Sequence, residues 1–122
     1  MKIKYNVIIN KTLAILVLAL ALSACATNEP TADTAIWIDV RTPGEYSTGH
    51  VDKAVNIPYQ QIGERITEVT KRKDEKIYVY CGSGHRAEIA RKTLAGMGYT
   101  DVTNAGGYKD IVKQGNQDES KN

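Results

Sequence analysis

Four short apolar runs, Ile36-Trp37-Ile38, Ala54-Val55, Ile77-Tyr78-Val79-Tyr80 and Val102-Thr103, punctuate residues 36–113 of this chain. Each is strand-sized, and unbroken apolar runs of this length fit strands covered on both faces. Helical patterns fill the gaps. Thr42-Pro43-Gly44-Glu45 pairs a capping-box Thr and Glu around a proline at the first helical position, which predicts a short helix. After Pro58, Tyr59, Ile62, Ile66 and Val69 recur at intervals of three and four and predict a second, amphipathic helix. Ala87, Ala90 and Leu94 share one face of a third, which should stop at Gly96-Met97-Gly98. Tyr108, Ile111 and Val112 suggest a final turn or two after Gly106-Gly107. Strands alternating with helices imply an α/β fold with a mainly parallel sheet of four to five strands. The span is long enough for one small core, and it contains no internal repeat.

The N-terminus has a different character. Lys2, Lys4 and Lys11 precede an apolar run from Leu13 to Leu22, the pattern of an export signal. Ten apolar residues fall short of the roughly 20 that a membrane-spanning helix needs. Leu22-Ser23-Ala24-Cys25 resembles the lipobox of bacterial lipoproteins, in which the cysteine is acylated and becomes the new N-terminus. That resemblance implies a signal peptide at 1–24, lipidation of Cys25, and membrane attachment on the periplasmic side. Ala26 rather than an aspartate after the cysteine points to the outer membrane in a Gram-negative cell. Several acyl chains would make the attachment stable, since one alone is marginal.

Residues 25–35 lack apolar periodicity and read as a lipidated terminus and solvated tether reaching on the order of 18 Å. Residues 114–122 are polar throughout and are expected to fray. The signal carries three of the 16 basic residues and none of the 14 acidic ones, so the mature balance is 13 against 14. A near-neutral chain has no electrostatic footprint for nucleic acid. A monomer is expected.

Chemistry concentrates at Cys81. The apolar run Ile77 to Tyr80 leads straight into Cys81-Gly82-Ser83-Gly84-His85-Arg86 and then into a helix. In open parallel sheets ligands bind at the carboxyl ends of strands, where this cysteine falls. The two glycines let successive backbone N–H groups turn inward as an anion cradle, and the helix N-terminus adds the positive end of its dipole. Lowering a thiol pKa from about 8.5 to below 7 takes roughly 2 kcal/mol, whereas a helix terminus supplies only about 0.3–1 kcal/mol. Hydrogen bonds to a charged acceptor contribute about 1.5–3 kcal/mol each, so loop geometry should outrank the dipole. With Cys25 acylated, Cys81 is the sole thiol, and an unpaired cysteine in an oxidising compartment is better explained by reactivity than by structure.

Taken in order, Trp37 to Tyr46, Gly49-His50-Val51, Ala54 to Pro58, Cys81 to Arg86 and Asn104 to Tyr108 resemble the rhodanese family, in particular its compact periplasmic members of the phage-shock-protein-E type. The match spans essentially the whole domain. It implies a sulfurtransferase in which Cys81 takes the outer sulfur of thiosulfate or a similar small anionic donor and holds it as a persulfide until cyanide or a thiol acceptor removes it. It also implies that the amides of Gly82, Ser83, Gly84, His85 and Arg86 bind the persulfide anion, that Arg86 orients the donor, and that Asp39, Arg41 and Glu45 lie beside the loop. No cofactor is implied. Many rhodaneses carry an arginine directly after the cysteine and a serine after the loop. Here Gly82 and Ala87 stand there, so one charge and one hydroxyl are missing.

Other readings compete. Cysteine phosphatases and arsenate reductases also use a Cys-loop-Arg cradle, but phosphatase loops place five residues between the two, and this loop has four. A non-catalytic binding module on the same fold is the remaining alternative, because fold alone does not settle function. His50 reads as a structural histidine bonded to nearby backbone, His85 as a loop residue open to substrate, and Trp37 as core. No paired Cys/His spacing supports a metal site.

Overall fold

The computed structural model describes residues 34–119. The signal segment, Cys25 and the tether up to residue 33 lie outside the described residues, as do residues 120–122. Strand β1 (Ile36–Asp39) is followed by helix α1 (Pro43–Ser47) and the short β2 (Val55–Asn56). A 3₁₀ turn (Tyr59–Gln61), helix α2 (Ile62–Arg65) and a second 3₁₀ turn (Ile66–Glu68) lead to β3 (Ile77–Cys81). Helix α3 (His85–Gly96), β4 (Val102–Gly107) and α4 (Tyr108–Glu119) complete the chain.

The sheet has four strands in the order β2-β1-β3-β4, every pair parallel. Ile36, Trp37, Ile38 and Asp39 lie opposite Ile77, Tyr78, Val79 and Tyr80. The chain leaves β1 toward β2 on one side and leaves β3 toward β4 on the other, so a topological switch point falls between the carboxyl ends of β1 and β3. All four strands start at the end of the sheet where the chain enters at Ile36, and Cys81 ends β3 at the opposite end. A register irregularity between Val79 and Cys81 brings Cys81 opposite Gly107.

The period-two alternation of β3 divides its faces. Ile77, Val79 and Cys81 join Ile38, Ile57, Ile62, Ile66 and the Ala87, Ala90, Leu94 stripe of α3 in one fully buried core. The opposite face is aromatic: Trp37 stacks on Tyr78 with ring centroids 4.6 Å apart, and Tyr80 stacks on Tyr108 at 6.2 Å.

Two elements differ from expectation. The second helix buries the predicted Ile62 and Ile66, yet it is two 3₁₀ turns around a single α-turn rather than one continuous helix. Gln61 and Arg65, at the junctions, hold φ of −106° with ψ near zero. Gly63 and the β-branched Ile62, Ile66, Thr67 and Val69 are poor helix formers, so packing dictates the face while propensity fails to hold the helical form. The C-terminal helix is longer than a turn or two and runs through the stretch expected to fray, to Glu119. Lys109, Lys113 and Gln114 are exposed and compatible with a helix, and Asp110 in its first turn meets the favourable end of the dipole.

Candidate active site

Cys81 is fully buried as the last residue of β3. Its Sγ accepts the backbone N–H of Gly84 at 2.9 Å. Burial pushes the thiol up, but the backbone N–H groups of Ala87, Ser83, Gly84 and Arg86 together outweigh it and leave the group below an ordinary thiol. Of the amides expected to contribute, those of Ser83, Gly84 and Arg86 do so, and Ala87 adds one from the first turn of α3. The cradle is therefore half loop and half helix start. Sequence reasoning missed Ala87 because it considered only the side chain absent there.

Gly84 makes the turn possible. It caps α3 with φ +95°, a conformation costly for any residue with a Cβ, and its backbone passes so close to β4 that a Cβ would lie 3.4 Å from Gly106 Cα. Asn104 fastens the two together: its side-chain N–H donates to Gly84 O at 2.9 Å, and its Oδ1 accepts from Gly106 N at 2.9 Å. Gly107 completes the approach, since a Cβ there would stand 2.5 Å from Gly82 O. Asn104 was part of the recognised motif, but only the fold shows that it pins the loop.

Arg86 points at Glu45. Its Nη1 donates to Oε1 at 2.8 Å and its Nη2 to Oε2 at 3.0 Å, a two-pronged pairing. The Arg86 partnership holds the Glu45 carboxyl down to about 2, and the same contact raises Arg86, with Cys81 contributing as a further neighbour. Glu45 also closes the predicted capping box: its Oε1 accepts from Thr42 N at 3.3 Å, and Thr42 Oγ1 accepts from Glu45 N at 3.2 Å. One carboxylate thus links the start of α1 to the cysteine loop.

Asp39 and Arg41 bond to each other rather than to the loop. Asp39 is fully buried and accepts from Arg41 N at 2.9 Å, from Nε at 3.0 Å and from Nη2 at 2.6 Å. Arg41 Nη2 also donates to Gly49 O at 2.7 Å, and its guanidinium lies 4.6 Å from the Tyr108 ring centroid. Tyr80, whose ring centroid lies 5.7 Å from the same guanidinium, accepts Val51 N–H on its hydroxyl, and burial pushes its phenol up. The Asp39–Arg41 pair ties the carboxyl end of β1 to the Gly49 backbone. His50 stacks on Tyr46 at 3.7 Å with its Nδ1 2.9 Å from Tyr46 O, a backbone contact. Gly82, Ser83 and His85 are exposed at the mouth.

The family model of the Rhodanese-like domain matches residues 24–114. The chain belongs to the rhodanese family. Thiosulfate sulfurtransferase PspE of Escherichia coli K12 is 46% identical to it over 76 residues, covering 62% of this chain and 73% of that protein. A solved structure described as a rhodanese with anions from E. coli is 45% identical, with a TM-score of 0.61, and covers 62% of this chain and 89% of that one. The human single-domain sulfurtransferase TSTD1, at 22% identity and TM-score 0.60, shares the fold. Within this rhodanese, Gly82 occupies the position beside the ion pair: a Cβ there would sit 3.3 Å from Arg86 Nη2 and 3.9 Å from Glu45 Oε2.

Proposed function

We propose that the chain is a sulfurtransferase that moves sulfane sulfur from thiosulfate or a similar donor to a thiol or cyanide through a persulfide on Cys81. The observation that carries this reading is the Cys81 Sγ held under inward backbone N–H groups, with its thiol pKa lowered despite full burial. A persulfide places its terminal anionic sulfur one bond further out, toward the same amides and toward Arg86. The 46% identity to a thiosulfate sulfurtransferase supports the donor class. The four residues between Cys81 and Arg86 make a tighter cradle than a phosphoryl group needs, which disfavours the phosphatase and arsenate reductase readings. Retention of the cysteine argues against a binding module.

The test is intact-protein mass spectrometry. Incubation of the purified protein with thiosulfate should add the mass of one sulfur, about 32 Da, and cyanide should remove it as thiocyanate. Hydrolysis of p-nitrophenyl phosphate faster than sulfur transfer would reverse the assignment.

We also propose, on the lipobox resemblance alone, that the domain lies outside the cytoplasmic membrane, attached through acylated Cys25. Cys25→Ser should leave the precursor unprocessed or shift the protein from the membrane to the soluble fraction on cell fractionation. An unchanged membrane share and an unchanged mature size would end the lipoprotein reading.

A further inference from the structure

Arg86 is the one residue of the 81–86 loop with a permanent charge, and its guanidinium is already engaged. Both of its terminal nitrogens meet both oxygens of Glu45, the fork that an incoming oxyanion would itself use. Glu45 is held by its helix cap as well, because Thr42 N and Thr42 Oγ1 donate at 3.3 and 3.1 Å to its Oε1, the oxygen that also accepts from Arg86 Nη1. A donor that took Glu45's place would have to break a helix cap along with an ion pair.

A second carboxylate stands nearby. Asp110 Oδ2 lies 3.4 Å from where a Cβ on Gly107 would be, and that same Cβ would meet Gly82 O, so Asp110 borders the loop backbone. Among the described residues, Arg86 thus has the carboxylate of Glu45 on it and that of Asp110 beside the same loop, and the position after the cysteine, Gly82, adds no charge.

Resting on sulfur transfer at Cys81, we propose that Glu45 determines donor specificity: it competes with the donor for Arg86, and the site favours sulfane donors carrying one negative charge over those carrying two. In either case the Cys81 thiolate attacks the donor's outer sulfur, a Cys81 sulfur–sulfur bond forms, and the donor's own sulfur–sulfur bond breaks. The leaving group departs with that electron pair, as sulfite from doubly charged thiosulfate or as a sulfinate from a singly charged thiosulfonate. Charge balances in both. What differs is the charge brought to a cation that Glu45 already neutralises.

The experiment compares kcat/KM for thiosulfate with that for the methanethiosulfonate anion, cyanide being the acceptor throughout, in the full chain and in Glu45→Gln and Thr42→Ala. Glutamine also serves at the third position of a capping box, so Glu45→Gln removes the charge and keeps the cap. Thr42→Ala weakens the cap and keeps the charge. The thiosulfate-to-methanethiosulfonate ratio should rise about tenfold in Glu45→Gln and by less than about twofold in Thr42→Ala. In the unaltered chain the ratio should rise with salt, as screening relieves the repulsion of the dianion. A ratio in Glu45→Gln within about threefold of the unaltered chain, an equal rise in Thr42→Ala, or a ratio that falls with salt overturns the proposal. Failure of both donors to load the unaltered chain would instead sink sulfur transfer itself, and this inference with it.

Discussion

Cys81→Ser is expected to abolish the thiosulfate-dependent mass increase and thiocyanate formation entirely, while the domain stays folded. A hydroxyl at this position is not ionised near neutral pH, so the same N–H groups that favour a thiolate have no anion to act on. The substitution is nearly isosteric, and the serine oxygen falls where Gly84 N–H now meets sulfur, so the buried polar atom has a partner and stability should change by no more than about 1 kcal/mol. Mass spectrometry, a thiocyanate assay and thermal unfolding on one preparation separate loss of chemistry from loss of fold. A sulfur adduct that persists in Cys81→Ser would move the carrier elsewhere and undo the role given to this loop.

The largest effect on stability is expected at Asp39, whose carboxylate pairs with Arg41 rather than with the cysteine loop. Asp39→Ala strips Arg41 of its carboxylate while the guanidinium stays inside, with a side chain only 7% exposed. Removing one partner of a buried ion pair typically costs about 3–5 kcal/mol, because the remaining charge is left uncompensated. Arg41 keeps its bond to Gly49 O and its position over Tyr108, so the lower end, about 3 kcal/mol, is expected. In a domain of this size that lowers Tm by roughly 12–24 °C. Replacing both partners with apolar residues of similar volume should recover much of the loss, as such exchanges often do. A fall in Tm of under about 4 °C for Asp39→Ala would mean that water reaches Arg41 and that the pair contributes little.

The parts legible in the sequence were those where a local pattern and the tertiary environment agree. The capping box at Thr42 and Glu45, the Ala87-Ala90-Leu94 stripe and the apolar runs of β1 and β3 fall where the structure has them, whereas β2 is Val55–Asn56 with Val55 exposed at the sheet edge rather than a buried Ala54-Val55 strand. At Ile62 and Ile66 the apolar spacing identified the buried residues, but β-branching and Gly63 left the backbone unable to sustain one helix. The start of the C-terminal helix is legible in Tyr108, Ile111 and Val112, but its length is not, because the polar residues that follow carry no apolar period.

At the site, the motif indicated the cysteine and the arginine but not who holds whom. Asp39, Arg41 and Glu45 are separated by a few residues, yet only Glu45 reaches Arg86, 41 positions away. Asn104 secures Gly84 across 20 positions. Contacts of that range depend on strand order and register, and no short window of sequence contains them.

The direction of the sheet has a consequence for traffic. Every strand runs from the end where the chain enters at Ile36 to the end that carries Cys81, so a domain hung by its N-terminus turns its reactive loop away from its point of suspension. Under the attachment through Cys25 proposed above, the reactive loop would lie at the end of the sheet opposite the one where the chain enters.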